Sequence, residues 1–196
     1  MEISYSIPHY DNSPQNYYWF SSAFSTEELE QIQSIVERID SKEAGTFESE
    51  GFSEVRRSKI KWLHKNSETE WIYDRLLSLV KEANDSLWHF DITSMNEDIQ
   101  YTEYHAEDEG HYTWHQDIGP GIAAQRKISI TIQLSDSDAY EGGDLQIWQG
   151  GTSVQDTQRG AGVAVLFPSY MMHRVTKTTK GVRKSLVLWV GGNHYR

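Results

Sequence analysis

The chain has 196 residues, and its 29 acidic side chains outnumber 18 basic ones for a net charge of −11. That length supports one domain with a sizeable core, and the acidic balance opposes a nucleic-acid partner, whose binding rests on attraction to basic side chains. No cysteine is present, which excludes disulfides, thiolate metal sites and cysteine nucleophiles, so a metal would be held by histidines and carboxylates.

The N-terminal stretch 1–8 lacks the basic-then-apolar pattern of a signal peptide. No apolar run approaches the roughly 18 residues of a membrane span. A cytoplasmic protein without a membrane partner is expected. Residues 1–24 are polar and aromatic and are expected to wrap the surface or add one edge strand. Ser25 followed by Glu28 has capping-box spacing, and Leu29, Ile32, Ile35 and Val36 then recur on one face, which predicts a helix. Residues 40–54 read as a loop. Val55–Leu63 alternates: Arg57, Lys59 and Lys61 fall on one side and Ser58, Ile60 and Trp62 on the other, which predicts a half-buried strand with a solvated basic face. A second helix is predicted from about Glu68 to Ala83, with Trp71, Ile72, Leu76, Leu77 and Val80 as core.

From Leu87 the pattern changes to short strand-like runs: 87–92, 98–105, 112–117, 128–134, 144–148, 163–167, 171–176 and 185–191, separated by turns such as Glu141-Gly142-Gly143. Strands of this number and length behind a helical segment predict a mainly β chain with flanking helices (α+β). The expected architecture is a double-stranded β-helix (jelly-roll), or a closely related double-sheet barrel, over 87–192, with the N-terminal helices of 1–85 packed on one sheet. No repeat or linker marks a second domain, so 1–196 is read as one.

Two strands carry a device. In 128–134 the aliphatic face is Ile128, Ile130, Ile132 and Leu134, and the polar face is Ser129, Thr131 and Gln133. In the last strand Arg183, Ser185, Val187 and Trp189 share one face; Lys184, Leu186, Leu188 and Val190 share the other. With the aliphatic faces on the helices, the polar faces line the interior, where buried polar groups need partners. A polar ligand supplies them; solvent-facing positions are the plainer alternative.

Tyr112-Thr113-Trp114-His115-Gln116-Asp117 places a histidine and an aspartate two residues apart. In an extended strand, residues i and i+2 point to the same side, so the imidazole and carboxylate converge. His173, beyond the turn signal Pro168-Ser169, is the expected third ligand. Two histidines and one carboxylate with open positions form the facial arrangement of non-haem iron(II) oxygenases. Arg183 opens the inward face of the final strand, and its planar fork suits a carboxylate.

These residues resemble a known family. His115-x-Asp117, His173 and Arg183-x-Ser185 look like the motif set of Fe(II)/2-oxoglutarate-dependent dioxygenases, in the prolyl 4-hydroxylase-like branch. The likeness runs over roughly 56–192 and includes Tyr104, Gly110-x-Tyr112, Arg126, Gly142-Gly143-Asp144-Leu145, Val165-Leu166-Phe167-Pro168 and Trp189. The resemblance implies that His115, Asp117 and His173 bind Fe(II), and that Arg183 pairs with the side-chain carboxylate of 2-oxoglutarate. Gln133 stands where some members have a tyrosine on that carboxylate, so Gln133, Thr131 or Ser185 would take the task. Tyr104 would lie near the metal-chelating end of the co-substrate, with Tyr112 and Trp189 on the substrate side.

The implied reaction decarboxylates 2-oxoglutarate to succinate with dioxygen and hydroxylates a prolyl residue of a peptide or protein; ascorbate is admitted as a further reductant. The alternatives are hydroxylation of a free amino acid or other small molecule, and a non-catalytic metal-binding module. Glu103, Glu107, Asp108 and Glu109 precede the metal strand and would favour cationic substrates if they rim the mouth. Trp189 stands where a nucleobase demethylase of this kind would carry a second arginine, which with the net charge counts against nucleic acid. The other histidines (His9, His64, His89, His105, His111 and His194) are expected to be structural or solvated.

Overall fold

The aliphatic side of the strand predicted over 128–134 packs on both helices, as its period-2 pattern requires. The computed structural model describes residues 16–44, 51 and 53–193. In chain order the elements are β1 (Tyr18–Phe20), α1 (Thr26–Glu37), β2 (Lys42–Glu43), β3 (Arg56–Arg57), β4 (Lys59–Leu63), α2 (Glu70–Ala83) and β5 (Ile92–Ser94). Then follow β6 (Ile99–His105), β7 (His111–His115), β8 (Arg126–Gln133), β9 (Tyr140–Gly142), β10 (Leu145–Gly150), β11 (Ser153–Asp156), β12 (Ala164–Pro168), β13 (His173–Val175) and β14 (Thr178–Gly192).

They form two sheets. The larger runs β1-β12-β8-β14-β6-β4-β2, with β5 and β9 also paired to β14; the smaller runs β11-β10-β13-β7-β3. This is the expected double-stranded β-helix with helices on one sheet. Ile128, Ile130 and Ile132 of β8 and Leu186, Leu188 and Val190 of β14 meet Ile32 and Val36 of α1 and Ile72, Leu76 and Val80 of α2 in the main core. Both helices begin near their sequence signals. The Glu28 backbone N–H donates to Ser25 Oγ (3.3 Å) and the Ser25 N–H to Glu28 Oε2 (2.9 Å), closing the capping box.

The register of β14 organises the interior. Arg183 lies opposite Tyr104 of β6, Ser185 opposite Thr102 of β6 and Gln133 of β8, Val187 opposite Gln100 and Thr131, and Trp189 opposite Ser129. The polar faces of β6, β8 and β14 therefore point the same way, into the space between the sheets.

Several expectations need correction. The run 87–92 is not a strand: α2 continues as a π-helical turn, Asn84–Trp88, and His89 follows in the left-handed region (φ 53°). Asn84 causes the reversal, because its side chain bonds both the N–H (2.8 Å) and the C=O (2.9 Å) of Phe90. The strand predicted over 55–63 is two strands in different sheets, with Ser58 as the link. Lys42–Glu43 pairs with β4 although 40–54 reads as a loop, whose residues 45–50 and 52 lie outside the described residues. β11 is fully exposed, so no buried face imposes an alternating pattern on it. β14 is seven residues longer at its start than the run 185–191, because Thr178–Gly181 pairs with β9. Of the N-terminal expectation only 16–24 is described, and β1 is an edge strand.

Candidate metal centre and co-substrate pocket

β7 and β13 bring the two histidines side by side: His115 and His173 are direct partners across the ladder. Asp117 does not share their strand. β7 ends at His115, so the carboxylate is not aimed by strand alternation. It is aimed by the loop that follows: its backbone N–H donates to the Ser169 carbonyl (2.9 Å), and Arg126 Nη1 donates to its own carbonyl (2.9 Å). The spacing of His115 and Asp117 is that of strand neighbours, but the local backbone there answers to Ser169 and Arg126.

The three ligand atoms lie within 4.8 Å of one another, and no other such group occurs among the described residues. His115 Nε2 is 3.7 Å from Asp117 Oδ1, and His173 Nε2 is 3.6 Å from Asp117 Oδ2. Each imidazole is oriented by the carbonyl two residues before it. His115 Nδ1–H donates to Thr113 O (2.7 Å) and His173 Nδ1–H to Met171 O (2.9 Å). A carbonyl can only accept, so Nδ1 carries the proton and the Nε2 lone pairs face the centre. Ser129 Oγ donates to Asp117 Oδ2 (2.6 Å) and exchanges a further bond with Ser169 Oγ (3.0 Å).

The charge states suit a divalent cation. Burial, and then the neighbouring His173, push His115 well below the usual imidazole range. Burial works against ionisation of Asp117, but His173, His115 and Ser129 outweigh it and hold the carboxyl below its ordinary range. Two imidazoles and one carboxylate, with no sulfur, form a donor set for iron(II) or another first-row divalent metal. The residues therefore fit the metal that the sequence implies.

A cavity of about 280 Å³ opens beside the triad, lined by the inward face of β14 from Arg183 to Trp189 and by Gln100, Thr102, Ser129 and Thr131. Arg183 is 2% exposed, and no carboxylate pairs with it among the described residues. Its Nη2 donates to Gln133 Oε1 (3.0 Å), and its Cζ lies 5.5 Å from the centre of the Tyr104 ring. Tyr104 is thus seated against the guanidinium. Thr131 and Ser185 line the same cavity. Tyr112 stacks on His115 with ring centroids 3.5 Å apart, and burial raises its phenol above the ordinary range.

Trp189 lies under Arg126, whose Cζ is 3.9 Å from the centre of its ring and whose side chain also pairs with Glu97. The buried indole N–H has no well-formed hydrogen bond among the described residues, yet it is near enough to Asp117 to help hold that carboxylate ionised.

The acidic segment before the metal strand is neutralised locally. Glu109 pairs with Lys177 (3.0 Å) and Asp108 with Lys59 of β4 (3.3 Å), Glu109 also lies 3.9 Å from Arg57 of β3, and Glu103 shares a hydrogen bond with His105 (2.9 Å), so Arg57 and Lys59 face acidic partners as well as solvent. His111 is packed between the carbonyls of Glu109 and Glu54, and His64 meets Asp98. His9 and His194 lie outside the described residues.

Arg56 was not singled out from the sequence. It is 8% exposed and reaches the cavity, with Nε donating to Ser58 Oγ (2.9 Å) and Nη2 to Gln100 Oε1 (2.8 Å). The available signal was its parity with Trp62: a cation on the inward side of an alternating strand.

Residues 99–191 match the family model of the 2OG-Fe(II) oxygenase superfamily. A PKHD-type hydroxylase of Synechococcus sp. (strain CC9605) is 39% identical over 79 residues, 40% of this chain and 36% of the relative. The chain thus matches little more than a third of that relative's length. A prolyl hydroxylase of Trichoplax adhaerens, solved with a hypoxia inducible factor peptide, superposes with a TM-score of 0.74 at 17% identity, over 90% of this chain and 83% of the other. A prolyl-4-hydroxylase of Pseudomonas putida gives 0.69 at 18% identity, over 90% and 92%. At these identities the solved structures establish likeness of fold.

Proposed function

We propose that this chain, whose residues 99–191 match the 2OG-Fe(II) oxygenase superfamily model and which is similar to a PKHD-type hydroxylase, is a prolyl hydroxylase-like member of that superfamily: an iron(II)- and 2-oxoglutarate-dependent hydroxylase of a prolyl substrate. The observation that carries the reading is the pairing of a complete His115–Asp117–His173 set with a buried guanidinium, Arg183, lacking a carboxylate partner in the same cavity. A metal site alone would fit a binding module; a buried cation beside it calls for an anion that comes and goes.

His115, Asp117 and His173 would hold iron(II), and Arg183 would take the side-chain carboxylate of 2-oxoglutarate. The bound metal and co-substrate supply oxidation of a C–H bond by dioxygen, with 2-oxoglutarate cleaved to succinate and carbon dioxide. The chain's own residues bind and orient. Gln133 accepts from Arg183 through Oε1, which fixes the fork and leaves its amide N–H₂ as a second donor beside it. Tyr104 closes the other side of the guanidinium, with Ser185 and Thr131 as neighbouring hydroxyls. Tyr112 and Trp189 line the cavity beside the triad and would bound a substrate ring there, Tyr112 by its edge, since His115 and Arg56 pack on its ring.

The prolyl part of the reading is supported by the PKHD-type and prolyl-hydroxylase relatives. The test is release of succinate with iron(II) and 2-oxoglutarate in the presence of proline and proline-containing peptides, together with a gain of one oxygen atom in the substrate. Turnover that depends on His173 and Arg183 is expected. Its absence across free and peptidyl proline would leave a metal-binding module as the better account.

A further inference from the structure

Of the three arginines that reach the cavity, Arg126 is paired with Glu97, and Arg183 is assigned above to the co-substrate. Arg56 remains. No carboxylate lies within ion-pair distance of it among the described residues, although it is 8% exposed. Its two hydrogen bonds go to neutral oxygens, Ser58 Oγ and Gln100 Oε1. They run from opposite sheets, since Arg56 belongs to β3 and Gln100 to β6, so the fork is fixed across the interior. Nη1 and the second hydrogen of Nη2 meet no acceptor among the described residues. The Cζ lies 4.7 Å from the centre of the Tyr112 ring, and Tyr112 stacks on the metal-binding His115. Arg56 thus stands one aromatic ring away from the metal centre.

The charges of the loaded site sharpen this. Iron(II), the Asp117 carboxylate and the Arg183 guanidinium together carry two positive charges, which the dianion 2-oxoglutarate cancels. Arg56 is then the cavity charge still without a counter-ion among the described residues. A buried cation held by neutral acceptors is stabilised strongly by an anion that meets its free N–H groups, and a carboxylate matches that fork in a planar, two-bonded arrangement.

We propose that Arg56 anchors a carboxylate of the substrate, so that the substrate is a prolyl acid, either free proline or a chain ending in proline, and not a proline inside a chain. This rests on the hydroxylase reading above. It makes Arg56 the residue that selects for charge, while Tyr112 and Trp189 bound the space for the ring.

The test uses the full chain loaded with manganese(II) and 2-oxoglutarate, and matched probes: L-proline against L-prolinamide, Gly-Gly-Pro against its C-terminal amide, and Gly-Pro-Gly for an internal proline. Binding is read by calorimetry, and succinate release by the iron(II) form is read in parallel. One or both acids should bind at least about tenfold more tightly than the corresponding amide, and the better of L-proline and Gly-Gly-Pro identifies the source of the carboxylate. Arg56→Gln should abolish the acid preference and Arg56→Lys should keep part of it; the circular dichroism of both variants shows whether they fold. Equal binding of acid and amide, tighter binding of Gly-Pro-Gly, an acid preference that survives in Arg56→Gln, or no binding of either acid each overturns the assignment. Acid-selective binding with no succinate release would sink the hydroxylase reading and leave the Arg56 anchor standing; succinate release that ignores the carboxylate would do the reverse.

Discussion

Ser129 donates a 2.6 Å hydrogen bond to Asp117 Oδ2, and this bond ties the loop that carries the candidate carboxylate ligand to β8 of the larger sheet. The histidines come from the smaller sheet, on β7 and β13. The triad is therefore assembled between two sheets, and the serine hydroxyl is the strut that joins them at the carboxylate.

Ser129→Ala should weaken metal binding while leaving all three ligands in place. Groups that orient a metal ligand are typically worth about 10–100-fold in affinity. The expected result is a manganese(II) dissociation constant raised by at least about tenfold, measured by titration, with an unchanged fold by circular dichroism. Affinity within twofold of the wild type would show that Asp117 holds its position without the serine.

Gly143 offers a way to disturb Arg183 without touching it. Its φ is 62°, and a Cβ there would lie 2.9 Å from Thr178 Oγ1 and 3.3 Å from Arg183 Cδ. Gly143→Ala should raise the 2-oxoglutarate dissociation constant several-fold, alongside a loss of roughly 1 kcal/mol or more of stability from the strained backbone. Calorimetry on the manganese(II) form and thermal melts would read the two effects separately. Unchanged 2-oxoglutarate affinity would mean that Arg183 tolerates the shift or does not bind the co-substrate.

Glu103 gives a pH prediction away from the metal. Burial works against its ionisation, but His105 and Tyr101 outweigh it and lower its pKa below the ordinary value. A carboxyl lowered in the folded state stabilises the fold fully above the unfolded value, about 4.3, and loses that contribution as pH falls through the folded value. Glu103→Gln should therefore be less stable than the wild type at pH 7, with the gap closing as pH drops below about 4. Melting temperatures from pH 7 to pH 3 would show this; a gap that does not change with pH would contradict it.

The interior faces were legible because two strands carry period-2 patterns too strong to misplace. Ile128, Ile130 and Ile132 and Leu186, Leu188 and Val190 must reach the helices, and parity then forces Ser129, Thr131, Arg183 and Ser185 inward. What was not legible depends on contacts between distant residues. Asp117 leaves its strand to meet Ser169 and Arg126, fifty-odd and nine positions away, and no local pattern announces either. Ser58 moves the chain from one sheet to the other without a glycine or proline, so no turn residue marks the break. The turn at Asn84 is made by side-chain bonds to Phe90, and the aromatic-rich stretch Leu87–Ile92 reads as a strand until that turn is known.

The claim that His115, Asp117 and His173 hold iron(II) and that Arg183 receives 2-oxoglutarate is tested most directly by anaerobic titration of the iron(II)-loaded protein with 2-oxoglutarate. The readout is the visible charge-transfer absorbance of an iron(II)–2-oxo acid chelate. The wild type should develop the band to saturation at one equivalent of iron(II), Asp117→Ala should develop none, and Arg183→Ala should need far more 2-oxoglutarate, in keeping with the roughly 2–5 kcal/mol lost when a buried charged contact is truncated. A full band in Asp117→Ala, or no band in the iron-loaded wild type, would contradict the account.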